Sequence, residues 1–232
     1  MSINIFLPCR KGSQRVPKKN IKAFAGYENG LIEIKLKQLL GSTKIDKIYL
    51  STNDDEILEY ANSLNNSKII LHKRAEHLSS SETSTDELVA HALDLIKEGE
   101  ILWTHVTSPF LNAKSYDEII TKYFEVQKQG YDSLMTTNLI HGFLWNENEP
   151  INYDRTKEKW PRTQTIKPLH EINSAIFIAN AKTYRDEDDR IGKKPFLYPL
   201  DKISGFDIDW EDDFKIAEAI LKSDVAKNKT RI

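Results

Sequence analysis

Short apolar runs alternate with amphipathic stretches through the first 140 residues. Ile3–Cys9 is branched and apolar and stops in a cluster of Gly, Ser and Pro, the pattern of a buried strand feeding a loop. Leu31–Leu40 repeats apolar residues at helical spacing (Leu31, Ile34, Leu36, Leu39, Leu40). Lys47–Ser51 reads as a strand, Asp54–Leu64 as a helix and Ile69–Leu71 as a short strand. Thr85–Ile96 is helical, with Leu88, Val89, Ala92, Leu93 and Ile96 on its apolar side. Ile101–Val106 is a strand ending at Thr107-Ser108-Pro109. Ser115–Gln129 is a helix with Asp117 and Glu118 in its first turn, and Ser133–Thr137 is a further strand.

This alternation predicts an α/β fold with a mostly parallel sheet and helices on both faces. Ligands of such sheets bind at the carboxyl ends of the strands. The pattern changes from His141 to Leu169, which is polar, aromatic and without periodicity. It is too long for a simple connection and predicts a lid or dimerisation arm at about 140–170. Ser174–Ala179 then reads as a strand, Asp207-Ile208-Asp209 as a strand-like piece and Trp210–Leu221 as a helix. The tail from Ser223 to Ile232 is polar and expected to fray.

At 232 residues the chain has the length of one large domain, expected to span 1–232 with the excursion as an insertion. Its 33 Lys+Arg balance 35 Asp+Glu to a net charge of −2, which argues against a general nucleic-acid binder. The single cysteine, Cys9, excludes an internal disulfide framework and any CxxC zinc module, and reads as a buried thiol at a strand end. No run approaches the ~18 apolar residues of a membrane span, and the first residues lack the features of a signal peptide. A cytoplasmic protein with no membrane partner is expected.

The candidate chemistry gathers at the predicted strand ends. Arg10-Lys11-Gly12-Ser13-Gln14-Arg15-Val16-Pro17-Lys18-Lys19-Asn20 follows the first strand and is dense in cations around a Gly-Ser turn. Gly12 permits close backbone approach to an anion, and exposed amides with Lys or Arg suit a polyphosphate. The GxxxxGK[ST] loop is absent. Asp207 and Asp209, two apart, share one face of an extended segment, so both could hold a hard cation such as Mg²⁺. Asp209 could equally be the N-cap of the helix that follows, with Asp212 completing the pattern. Thr107-Ser108-Pro109 offers hydroxyls to a ligand or is an ordinary turn. His105, just before it, is a cleft histidine or a general base.

In this company the motifs resemble the acylneuraminate cytidylyltransferase family, the CMP-sialic acid synthetases and their relatives. The resemblance runs over Leu7–Ser13 with Pro17–Asn20, Tyr49–Ile57, Arg74–Leu78, Thr107–Phe110, Pro161–Gln164, Asn173–Ile176 and Asp207–Asp209. It implies a Rossmann-like α/β domain with a protruding dimerisation arm, and a Mg²⁺-dependent transfer of CMP from CTP to a 2-keto sugar acid, with pyrophosphate as the second product, in a homodimer built through the arm. By resemblance Arg10 and Lys19 contact the triphosphate, and Ser13 and Asn20 shape the nucleotide loop with Gly12 and Arg15. Arg74 faces the cytidine or a phosphate. Arg162 and Asn173 lie near the sugar, beside His105 and Ser108, and Asp207 and Asp209 bind the metal. Catalysis then rests on Lys19, Arg10 and Asp209, with no dedicated general base.

The chain departs from the family pattern at Gln14, where Lys is usual, and at His105, where a sugar-facing Gln is usual. Ser174 and Phe177 replace the Gly and Tyr of the usual Asn-Gly-Ala-Ile-Tyr. Phosphate and metal positions are kept while sugar-facing ones differ. The acceptor therefore stays open among nonulosonates and 3-deoxy-octulosonate. A CMP-Kdo-type synthetase, a DxD glycosyltransferase and a non-catalytic nucleotide-binding relative are the alternatives.

Overall fold

A computed structural model describes residues 3–223. In chain order the elements are β1 (Ile3–Pro8), α1 (Gly30–Gly41), β2 (Ile45–Thr52), α2 (Asp55–Ser63), β3 (Ile69–Lys73), α3 (Thr85–Leu95) and β4 (Glu100–Trp103). They continue with α4 (Ala113–Gln127), β5 (Ser133–Ile140), β6 (Leu169–Asn180), α5 (Ala181–Glu187), β7 (Pro195–Leu200) and α6 (Glu211–Lys222). The strands form one sheet in the order β3-β2-β1-β4-β6-β5-β7. All neighbours run parallel except β6, which is antiparallel to both β4 and β5.

Side-chain alternation divides the core in two. Ile5 and Leu7 of β1 join the apolar faces of α1, α2, α4 and α6 on one side of the sheet. Phe6 points to the other side, with Trp103 and Phe177 beneath α3 and α5. Helix starts are fixed locally. Asp54 accepts from the Glu56 N–H, Ser84 and Glu87 form a reciprocal capping box, and Asn112 caps α4. Each such cap stabilises its helix by about 1 kcal/mol. Cys9 is buried and unpaired, and its burial pushes the thiol up to about 12.

Because β1 lies between β2 and β4, the connections leaving it and reaching β4 pass to opposite sides, and a crevice opens at their carboxyl ends. Several expectations need correction here. Asp207-Ile208-Asp209 belongs to no strand, because the N–H of Ile208 bonds to the carbonyl of Thr107 beyond the end of β4 rather than to a ladder partner. β4 stops at Trp103, so His105 and Val106 lie in the loop. β6 begins at Leu169 and takes up the end of the predicted excursion. α5 and β7 were not evident in the sequence pattern. Residues 141–168 carry no helix, only an isolated bridge between Trp145 and Pro150 and a cluster of edge-to-face rings on Phe143, Tyr153 and Trp160. Most of the tail expected to fray, 224–232, lies outside the described residues.

Candidate active site

The loop after β1 is held by its carbonyls and leaves its amides open. Arg74, almost wholly buried, donates Nη2 to the carbonyl of Cys9 at 2.8 Å, and Asn20 donates Nδ2 to the carbonyl of Arg10 at 3.1 Å. The N–H of Lys11 goes to Asn53 Oδ1 at 2.9 Å, and buried Val16 anchors the turn that presents Lys19. Gly12 sits at φ +83°, a conformation that favours glycine. Among the described residues the N–H groups of Gly12, Ser13, Gln14 and Arg15 have no partner, and the Arg10 guanidinium has no ion pair. A row of unpaired amides with cations beside it is the makeup of an anion nest.

This loop and the end of β4 enclose a cavity of about 340 Å³, lined among others by Arg10, Ser13, Arg15, Lys19, Asn20 and His105. Lys19 is buried to 8% exposure and donates Nζ to the carbonyl of Ile208 at 2.6 Å. Burial lowers its pKa against the opposing pull of Asp209 and Asp207. Arg15 donates to Asp209 Oδ1 at 2.7 Å while its guanidinium lies 4.9 Å from the centre of the exposed Trp210 ring.

Asp209 does not cap α6. The N-cap is Trp210, and the carboxylate of Asp213 accepts the N–H groups of both Asp209 and Trp210. Buried Ile208 separates the two half-buried aspartates, which line a common cavity with Asn173 and Ser174. For a divalent cation the chain thus supplies two carboxylates. No cluster of three or more His, Cys, Asp or Glu able to hold a metal occurs among the described residues. Two oxygens plus substrate phosphates and water suit Mg²⁺, which keeps part of its hydration.

His105 is fully committed. Its Nε2 accepts the indole N–H of Trp103 at 2.9 Å, and its Nδ1 donates to the carbonyl of Ser174 at 2.9 Å. Burial, with the charge of Arg190, depresses its pKa to about 4. The imidazole lines the cavity as a neutral strut with neither nitrogen open as a general base. Its bond to Ser174 helps pin an irregular stretch of β6, where Asn173–Ile176 oppose Thr136 alone. Thr136 and Asn173 accept the N–H groups of Ile176 and Ala175, and Thr104 donates to the Ala175 carbonyl. Asn173 donates its amide to Asn138.

The remaining candidates fall elsewhere. Arg74 supports the loop from beneath and does not line the cavity. Ser108 is buried, and its carbonyl accepts from Lys35 Nζ at 2.7 Å. Arg162 is exposed on the 141–168 excursion, apart from both cavities. Lys35 and Arg190 were missed by sequence reasoning. Lys35 lies in the buried stripe of α1, bonded also to Tyr116, and burial lowers its pKa to about 7. A lysine within an otherwise apolar helical stripe is the signal that marks it.

Residues 5–229 match the family described as cytidylyltransferase, and the chain belongs to that family. It is a nucleotidyltransferase. It is 26% identical to the pseudaminic acid cytidylyltransferase of Campylobacter jejuni over 93% of this chain and 94% of that one. With the N-acylneuraminate cytidylyltransferase of Escherichia coli it shares 26% identity over 97% of this chain but 53% of the longer protein. Among solved structures, CMP:2-keto-3-deoxy-manno-octonic acid synthetase complexed with CTP superposes with a TM-score of 0.64 at 15% identity, covering 95% of this chain and 98% of that one. The 4-diphosphocytidyl-2C-methyl-D-erythritol synthase of Anaerococcus prevotii gives 0.63 at 16% identity, covering 96% and 99%. At these identities the superpositions speak to the fold. No helix among the described residues is long and apolar enough to cross a membrane.

Proposed function

We propose that the protein activates a 2-keto sugar acid, a nonulosonate, with CTP to give the CMP-sugar and pyrophosphate, using Mg²⁺. The observation that carries this reading is the joining of a polyphosphate nest to an aspartate pair through Lys19 and Ile208, at the carboxyl ends of β1 and β4. The nonulosonate-specific relatives support the choice of acceptor, and membership of the cytidylyltransferase family favours a synthetase over a glycosyltransferase.

The anomeric hydroxyl of the acceptor attacks the α-phosphorus in line and pyrophosphate departs. Such a transfer depends on positioning and charge neutralisation. Arg10, the amides of Gly12 to Arg15, and Lys19 hold the triphosphate and take up charge developing on the leaving group. Asp207 and Asp209 would hold the Mg²⁺, which would make the attacking hydroxyl more acidic and screen the phosphates. His105, already bonded at both nitrogens, keeps the β6 wall in place and moves no proton. A cytoplasmic location, where CTP is available, fits this chemistry. The exposed Ile151 and Trp160 on the 141–168 excursion suit the contact of a homodimer, through which Arg162 could reach a sugar.

Pyrophosphate release from CTP and Mg²⁺ over a panel of 2-keto sugar acids tests the reading. Release with at least one acid, absent without metal, is the expected result. Silence with every acid, with no CTP binding by calorimetry, would refute it.

A further inference from the structure

Helix α1 buries Leu31, Ile32, Ile34, Leu36 and Leu39 together with two polar residues, Lys35 and Gln38. Three positions apart, these two share one face of the helix. A buried amine or amide is costly unless its donors are met, and Met at either place would complete the apolar stripe without that cost. What Lys35 and Gln38 add is directed bonds, and these lead to the site from beneath. Neither residue lines the cavity of the nucleotide loop or that of the aspartates.

Lys35 donates Nζ to the carbonyl of Ser108 and to Oη of Tyr116, each at 2.7 Å. Gln38 donates Nε2 to the carbonyl of Pro109 at 2.6 Å. The turn after β4 is thereby gripped at two consecutive carbonyls. The carbonyl just before them, that of Thr107, accepts the N–H of Ile208 at 3.0 Å, and Ile208 stands between Asp207 and Asp209.

The other bond of Lys35 runs on in a fixed direction. Thr104 gives its one hydroxyl proton to the carbonyl of Ala175 at 2.6 Å, so Tyr116 donates to Thr104, 3.0 Å away. The Tyr116 oxygen is left to accept from Lys35. This chain ends in β6 beside Asn173 and Ser174, which line the cavity of the aspartates. A neutral amine keeps two N–H groups, as many as Ser108 and Tyr116 take, so both bonds persist when Lys35 gives up its third proton.

We propose that Lys35, with Gln38 beside it, is a positioning residue of the active site, which fixes the Thr107–Pro109 turn that carries Ile208 and its two aspartates and, through Tyr116 and Thr104, the β6 wall at Ala175. This rests on the cytidylyltransferase reading above. The experiment compares wild type, Lys35→Met, Gln38→Met and Thr104→Val as full chains. Val126→Ala, a cavity in the buried face of α4, is the control for lost stability alone. The readouts are steady-state pyrophosphate release with a 2-keto acid that wild type uses, calorimetric CTP affinity, and amide hydrogen exchange of the ligand-free protein by NMR.

Lys35→Met is expected to lower kcat by about 10–100-fold, the effect of a small misplacement of reacting groups, with CTP affinity within about twofold of wild type. Its Ile208 amide should exchange about tenfold faster while that of Lys11, bonded to Asn53, is unchanged. Gln38→Met should move kcat and the Ile208 amide in the same direction by less. Thr104→Val should speed the Ala175 amide, bonded to Asn173, and leave that of Ile208 as in wild type.

Wild-type kcat in a folded Lys35→Met, or an Ile208 amide that exchanges there as in wild type, overturns the assignment. So does a kcat loss of equal size in Val126→Ala, which would reduce the effect to stability. Should Lys35→Met not fold, Gln38→Met decides by the same two readouts. An Ala175 amide unmoved in Thr104→Val overturns the β6 branch. Wild type inert with every 2-keto acid and without CTP binding refutes the parent reading and the active-site role with it, a result distinct from an active wild type whose variants do not differ.

Discussion

The ammonium of Lys19 and the carbonyl of Ile208 meet at 2.6 Å across 189 positions of sequence. The N–H of Ile208 goes in turn to the carbonyl of Thr107 at 3.0 Å. One apolar residue, buried between two aspartates, thus ties the nucleotide loop, the end of β4 and the carboxylate pair together. The cation that would meet phosphate also sets where the carboxylates stand.

Lys19→Met removes a charge and a strut together. The expected outcome is a loss of about 10²–10³-fold in kcat/KM for CTP, the size seen when one preorganised donor is lost. The unfolding free energy from urea titration should also fall, by about 1–3 kcal/mol, since the Ile208 carbonyl loses its donor. Steady-state pyrophosphate release and equilibrium unfolding check both. A loss below tenfold would contradict the assignment.

Asp209 and Asp213 should separate cleanly. Asp209→Asn is expected to abolish Mg²⁺-dependent turnover with little change in melting temperature, because its bond to Arg15 is half exposed and worth at most about 1 kcal/mol. Asp213→Ala removes the acceptor for two N–H groups at the start of α6 and should cost about 1 kcal/mol while turnover largely persists. Metal titrations of activity beside thermal melts distinguish the two. The reverse pattern would make Asp209 the structural residue.

Stability should rise with pH through two windows. His91 and His105 have pKa values near 4 in the fold, chiefly through burial, against about 6.5 in the unfolded chain. Between these values the unfolded state holds the extra proton, so stability present above about pH 6.5 is lost as pH falls toward 4. Lys35, at about 7 in the fold and about 10.4 unfolded, acts in the same direction between those values. Urea midpoints at pH 5, 7 and 9.5 measure the slopes. His91→Gln should flatten the acidic limb, and Lys35→Met the alkaline one. A wild-type midpoint that falls from pH 7 to 9.5 and is untouched by Lys35→Met would rule out a neutral Lys35.

Gly205→Ala should injure the acceptor side alone. A Cβ at Gly205 would stand 1.9 Å from Asn138 Oδ1 and 3.1 Å from Asn173 Nδ2, the two groups bonded to each other across β5 and β6. Overpacking of this kind costs about 1–3 kcal/mol. The expected result is a raised acceptor KM with calorimetric CTP affinity preserved. Equal loss of both would mean that the two sides do not move apart.

The sequence pattern revealed β1 and the cationic loop because a branched apolar run ending at Gly-Ser has few other uses. It also revealed the sheet's parallel half, where helix periodicity separates the strands. β7 was hidden because Pro195–Leu200 contains two prolines and lies at the sheet edge, where no alternation is enforced. The irregular stretch of β6 was hidden because Thr136, 40 residues from Ile176, accepts its N–H and also donates to Asn173, a pairing no local spacing encodes. Spacing did pair Asp207 with Asp209, but through an irregular segment rather than a strand. It left the cap ambiguous, since only the observed bonds show Asp213 taking that role. Arg162 was legible as chemistry and not as place.

The Arg15–Asp209 bond has a consequence for how ligands come together. At rest each partner occupies the other, and Trp210 steadies the guanidinium. On the proposed reading, a polyphosphate that drew Arg15 to itself would uncover an oxygen of Asp209, and a divalent cation settling on Asp209 would release Arg15 toward the polyphosphate. Each arrival would then favour the other by the same factor, as linkage requires. The two ligands would be held as a pair more tightly than either alone, and an unaccompanied nucleotide or metal would find the latch shut.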